Sequence, residues 1–189
     1  MRWNLVIWVV LLLATMVVVA GCTTTVTTTI QTTTTPLPCS RATISTDVLM
    51  TYLPDPMQGW RLDLSDTGSY ETGYGCNYTV ADRQYIKGDY ENIILLWIYD
   101  TNYDAENVES INEFTYGYVG QSANGYGLRT TVSGYPAYET AEYSNQWLRT
   151  TVNLGNGIFV IGSLQYNTST SVRYPYINAV NLAALDALA

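Results

Sequence analysis

The chain has no histidine. That absence excludes Ser-His-Asp and Cys-His catalytic arrangements, and every metal site that needs an imidazole ligand. Lysine occurs once, at Lys87. Its place beside a glycine, in Lys87-Gly88-Asp89, marks a solvated hairpin residue rather than a Schiff-base amine. Basic side chains are scarce altogether, eight against sixteen acidic ones, for a net charge of −8. Binding to a phosphate backbone works by neutralising it with Lys and Arg, so a nucleic-acid partner is not expected. The acidity suits solubility, with attraction of cations as a side effect. No internal repeat is evident, and no motif calls for a cofactor.

What the chain does have starts at its N-terminus. Met1 and Arg2 form a short positive segment, and residues 5–19 (LVIWVVLLLATMVVV) are almost unbroken apolar sequence. Ala20 and Gly21 then precede Cys22. Small residues before a cysteine, at the end of an apolar run of this length, are what a lipoprotein signal peptidase needs. Val19-Ala20-Gly21-Cys22 resembles the lipobox of prokaryotic lipoproteins, which implies cleavage after residue 21 and a diacylglyceryl group on Cys22. The competing readings are an uncleaved single-pass anchor, since about 18 apolar residues sit at the short end for a bilayer of roughly 30 Å, or ordinary secretion. The lipidated and single-pass readings both put everything after Cys22 outside the cell. Two acyl chains on one thiol would anchor durably where one would not.

Residues 23–38 (TTTVTTTIQTTTTPLP) change composition abruptly. Such a run cannot bury enough apolar surface to offset its conformational entropy, so it reads as an extended stalk. Thr with Pro outside the cell suggests O-glycosylation, and a bare flexible linker is the alternative. A Thr-rich stalk directly after a lipobox resembles surface lipoproteins of archaea. The expected organisation is therefore a signal peptide at 1–21, a lipid-anchored stalk at 22–38 and a globular domain at 39–189. That domain, roughly 150 residues, is long enough for a proper core. Without residues 1–21 the chain carries seven basic and sixteen acidic residues, a net charge of about −9.

Assigning Cys22 to the anchor leaves Cys39 and Cys76 in a disulfide-permissive compartment. Paired, they would close a loop of nearly forty residues between the stalk and the domain, worth about 3–4 kcal/mol on the chain-entropy model. Two unrelated thiols are the alternative, and two cysteines without histidine make a poor zinc set. Export also makes two sequons usable, at Asn77 and Asn167. Asn167 lies in a polar turn, whereas Asn77 adjoins Cys76.

Within the domain, Thr46 or Asp47 can cap a short helix that Pro54 ends. Residues 60–64 alternate as a strand, residues 68–75 read as a Gly/Tyr/Ser loop, and strand-like sequence resumes over 77–86. In residues 90–99, Ile93 to Ile98 are apolar on both faces, the mark of a central, covered strand. A covering helix is expected from Asp104 to about Tyr116. Four strands follow near 128–132, 135–143, 146–154 and 157–166. Their turns are signalled by Ser133-Gly134 and by Gly155-Asn156-Gly157. Leu148, Thr150, Val152 and Leu154 alternate with Trp147, Arg149, Thr151 and Asn153, so one face of that strand is buried. Pro175 suits the first turn of a closing helix, and Asn181 can cap a last turn carrying Leu182, Leu185 and Leu188. This order predicts an α+β domain, a single antiparallel sheet of about five to seven strands with flanking helices.

The stretches Leu53-Pro54 to Gly59-Trp60, Ala81 to Tyr85, the strand at 93–100, residues 132–139 and the closing Asn181-Leu182-Ala183-Ala184-Leu185 together resemble the PsbP/Mog1-type α+β sandwich. The resemblance spans most of residues 46–189. It implies a fold and transfers no ligand or catalytic residue.

Three kinds of site remain. Asp100, Asn102 and Asp104 stand at alternate positions, like the first half of an EF-hand calcium loop, but Ala105 replaces the turn glycine and Ile111 the bidentate glutamate. A strand-exit loop with Asp104 as helix cap accounts for the same residues. A glycosidase-like carboxylate pair could be drawn from Asp82, Asp100, Glu139 and Glu142, though no spacing singles out a pair and the four read more simply as surface charge. Lastly, seventeen tyrosines are an unusual number. Tyr70, Tyr74 and Tyr78, and Tyr116, Tyr118 and Tyr126, cluster around two expected loops. Exposed tyrosines bury area at low entropy cost and keep a hydroxyl, which suits glycan or protein recognition. Half-buried strands also favour tyrosine. The expectation is a non-enzymatic domain, lipid-anchored at the outer membrane face, that binds an envelope protein or glycan or helps assemble an envelope complex. A carboxylate-dependent hydrolase and a calcium-binding accessory are the alternatives.

Overall fold

In chain order the elements are α1 (Thr46–Met50), β1 (Arg61–Leu62), β2 (Gly68–Tyr74), β3 (Cys76–Lys87), β4 (Asn92–Asp100), β5 (Gly120–Ser122), β6 (Gly125–Val132), β7 (Tyr135–Glu142), β8 (Trp147–Asn153), β9 (Ile158–Gln165), α2 (Thr170–Ala179) and α3 (Leu182–Asp186). This computed structural model describes residues 41–64, 68–74, 76–102, 117–166 and 170–188, with the backbone alone at 68–74, 76–77 and 170–172. All of these belong to one unit, Pro36–Ala189.

The strands form one sheet in the order β1-β3-β4-β9-β8-β7-β6-β5, with β2 also paired to β3. Every pairing is antiparallel. β1 and β2 share one edge of β3, since Arg61 and Leu62 face Ile86 and Tyr85 while Gly68 to Tyr74 face Asp82 to Cys76. Among the described residues, nine strands thus occupy eight positions, more than the five to seven expected. The surplus comes from two places. Residues 68–74 pair as β2 because β3, twelve residues long, leaves most of its edge for a partner. β5 is a three-residue strand joined to β6 by a tight turn at Ala123-Asn124. The domain is mainly sheet, and its described helices are short.

β4 lies inside the sheet between β3 and β9, with both faces buried or half-buried, as its two-sided apolar sequence requires. From β9 the chain's neighbours run back as a meander to β5. Ser133 (φ 50°) and Gly134 (φ 88°) both sit in the left-handed region, the two-residue turn whose twist matches a hairpin.

α2 packs on one face of the sheet. Its Ile177 approaches Gly162 of β9 so closely that a Cβ on that glycine would stand 2.7 Å from the Ile177 side chain. The main core lies on this helix face. It joins Leu49 and Leu53, Tyr85, Ile94, Leu96, Ile98, Leu148, Val152 and Val160 to Tyr176, Ile177, Leu182 and Leu185 of the closing helices. The Tyr176 ring lies 4.2 Å from Tyr85, tilted by 39°, and meets Trp60 edge-on at 5.7 Å. Asn181 caps α3 as expected, accepting from the Ala184 N–H at 3.1 Å. Leu182 and Leu185 are buried, but Leu188 is exposed. Pro175 stands inside α2 rather than in its first turn, because the helix begins at Thr170. The opposite, far face carries a smaller buried pair, Phe159 and Ile161, with Trp97 and Tyr99 packed against it. The covering helix expected from Asp104 to about Tyr116 lies outside the described residues, and no helix among the described residues is long and apolar enough to cross a membrane.

Candidate functional site

The four candidate carboxylates do not converge. Glu139 and Asp100 stand on the helix face. The register from Glu139 through Thr150 and Gly162 reaches Leu96, four residues short of Asp100. Three strand spacings and four residues put them about 19 Å apart. Asp82 and Glu142 stand on the far face, four strand spacings and four residues from one another, about 23 Å. Each of the two buried acids has its own arginine. Asp100 is fully buried, and Arg41 donates to both its oxygens at 2.8 and 2.7 Å. The backbone N–H groups of Ile44 and Asn102 donate to it at 2.7 and 3.0 Å. Asp100 is therefore surrounded by donors, whereas a hard cation seeks a shell of oxygens. The Asn102 side chain accepts from the Arg41 N–H at 3.2 Å. Asp104 lies outside the described residues, and no group of metal-binding side chains occurs among those described.

Glu139 accepts from Arg173 at 2.5 Å, from the Tyr174 hydroxyl at 2.8 Å and from the Tyr126 hydroxyl. Burial pushes its pKa up, but the hydrogen bonds from Tyr126 and Tyr174 and the Arg173 charge outweigh this and hold it below the ordinary carboxylate value. Burial, and then the bond to Glu139, push the Tyr126 hydroxyl far above the usual phenol range. An acid held ionised and enclosed by its partners is a structural tie.

The tyrosines divide. Tyr126 is committed to Glu139 on the helix face. Tyr118 is exposed, and its carbonyl accepts from the Tyr138 hydroxyl at 2.5 Å. This bond passes over Gly127, where a Cβ would collide with the Tyr118 carbonyl oxygen. Tyr70 and Tyr74 face Val80 and Cys76, and Tyr78 faces Thr72, so their register positions share the face that holds Asp82 and Trp97. Tyr116 lies outside the described residues. Asn77 and Cys76 sit on β3, whereas Cys22, Cys39 and Asn167 lie outside the described residues.

The far face holds a feature that the tyrosine count did not indicate. Three adjoining cavities of about 380, 340 and 250 Å³ share one wall, the Trp147 ring. The first adds Glu142, Asn145, Gln165 and Tyr166. The second runs toward Tyr118, Gly127 and Tyr138. The third is lined by Trp97, Tyr99, Arg149 and Ser163. The register explains the grouping. Glu142, Trp147 and Gln165 form one row across β7, β8 and β9, and Thr140, Arg149 and Ser163 form the next. The alternation of Trp147, Arg149 and Thr151 along β8 carried this signal, but nothing local said which face had the cavities. No protein-family model matches the chain, and no curated protein or solved structure is significantly similar to it.

Proposed function

We propose that this chain is a non-enzymatic surface protein, held at the outer face of the membrane through a lipid on Cys22, whose domain binds a glycan of the cell envelope. The observation that carries this reading is the meeting of three cavities at Trp147, with planar polar side chains beside aromatic rings. Sugar rings stack on aromatic faces and exchange hydrogen bonds with amide, carboxylate and guanidinium groups, and rigid aromatic anchors lose little entropy on binding. The tyrosine positions on β2 and β3 extend the same face, and the Thr-rich segment would hold it away from the membrane. The finer fold, an α+β sandwich of the PsbP/Mog1 type, belongs to this proposal too.

The alternatives rank lower. A carboxylate-dependent hydrolase needs two close acids, and the four candidates are spread over two faces. A calcium accessory needs Asp100, which Arg41 occupies.

Isolated envelope polysaccharide, titrated into the full-length protein in lipid vesicles, should change its tryptophan fluorescence saturably. Trp147→Ala should weaken that binding at least tenfold and leave the melting temperature within a few degrees. Unchanged affinity in Trp147→Ala would remove the assignment of the site.

A further inference from the structure

The row Thr140–Arg149–Ser163 crosses β7, β8 and β9 on the far face. Ser163 is 1 % exposed and its hydroxyl has no hydrogen-bond partner, although the residue lines the 250 Å³ cavity beside Arg149. The Thr140 hydroxyl, on the wall of the adjoining cavity, is likewise buried and unpartnered. A buried hydroxyl without a partner destabilises a fold, so two of them in one row, at the walls of cavities, call for a ligand. Between them in the row stands Arg149, which lines the 250 Å³ cavity with Ser163. Arg149 has an interaction within the protein. Its five N–H donors, in a planar fork, can serve a second acceptor as well. No other lysine or arginine among the described residues lines these cavities.

The two tryptophans set the scale. Trp147 shares a row with Gln165 and Ile93, and Trp97 lies four residues along β4 from Ile93. The diagonal between the two backbone positions is about 16 Å, with Ser163 at its midpoint. That length fits a short oligosaccharide better than a single sugar.

We infer that the glycan bound here is acidic, and that the carboxylate of a uronic acid unit seats between Arg149 and Ser163. The guanidinium fork and the serine hydroxyl donate to its two oxygens. Trp97 and Trp147 stack the flanking sugar rings. Thr140 and Gln165 meet sugar hydroxyls, and Glu142 at the rim accepts from them rather than facing the carboxylate. The assignment rests on the glycan-binding reading given above.

The test uses the full-length protein in neutral lipid vesicles and three probes: a linear oligouronate of three residues, the same oligomer with its carboxyls reduced to primary alcohols, and the free uronic acid. The oligouronate should bind at least tenfold more tightly than its reduced form, more weakly as salt rises, and the free acid more weakly than either. Ser163→Ala should cost the oligouronate at least threefold and leave the reduced form unchanged, while the melting temperature holds or rises, because an unsatisfied hydroxyl has gone. Arg149→Gln should abolish the preference. Equal binding of both oligomers, or an unaltered preference in Ser163→Ala, overturns the acidic assignment and leaves the glycan reading standing if Trp147→Ala still loses both. The free acid binding as tightly as the oligomer overturns the oligosaccharide assignment. Binding of neither oligomer overturns both.

Discussion

Glu139 of β7 and Arg173 of α2, 34 residues apart, meet on the helix face of the sheet, and each is buried there. A buried ion pair gives little net stability, because desolvation takes back much of the Coulombic gain. Breaking one is costly, since the surviving charge keeps its desolvation and loses its partner. Arg173 is fully buried, and two of its guanidinium nitrogens already lack acceptors. Glu139→Gln should therefore destabilise the domain by about 3–5 kcal/mol near neutral pH. A thermal melt should show this as a drop on the order of 10 °C. The pH dependence has a definite sign. Glu139 titrates below its unfolded value of about 4.3, so its contribution is complete above that pH. It disappears as the pH falls through the lower, folded pKa. The gap between the melting temperatures of the native protein and Glu139→Gln should thus be widest near pH 7 and narrow below pH ~4. A gap that stays constant to pH ~2 would refute this role for Glu139.

The strands and turns show where local sequence was enough. Ser133-Gly134 predicts a hairpin, and the structure has one there with positive φ at both residues. The strands expected near 135–143, 146–154 and 157–166 appear as β7, β8 and β9 within a residue or two. The apolar run at Ile93 to Ile98 does lie in the interior of the sheet. Residues 68–74 were legible only as a loop, since Gly, Ser and Thr among tyrosines give no alternation, and β3 recruits them through backbone hydrogen bonds. β5 was illegible for the same reason. Glycine at 127 is required by tertiary contact, whereas glycine at 134 is required by its own φ. Gly127→Ala should overpack the Tyr118–Tyr138 contact and cost about 1–3 kcal/mol. Gly134→Ala meets no neighbour and should cost only about 1 kcal/mol of backbone strain. Urea denaturation of the two variants measures the difference, and the ranking should reverse if the Tyr118 segment simply moves aside.

At the scale of the whole molecule, the anchor and the staple depend on one assignment. If Cys22 carries the lipid, Cys39 and Cys76 are free to pair. Mass spectrometry of the mature protein should find an acylated Cys22 as its first residue; an unmodified Cys22 still preceded by Gly21 would overturn the assignment. Reduction should then lower stability by about 3–4 kcal/mol, and Cys39→Ser should make the protein insensitive to the reductant. A melting temperature unchanged by reduction would mean that the two thiols are not joined.

The residues alone were sufficient to exclude histidine chemistry and to lay out most of an antiparallel sheet with closing helices, and the proposed export signal with its acyl-accepting cysteine is likewise read from them. All of these depend on composition or on short-range pattern, which act within a few residues. The number of strands, the separation of the four acids and the private arginine of each buried one were decided by tertiary pairing. So was the convergence on Trp147. Strand register sets which side chains share a row, and Thr140, Arg149 and Ser163 become neighbours only when β7, β8 and β9 align. No periodicity along one strand specifies that alignment, because hydrogen bonding between strands and burial of the helix face fix it together.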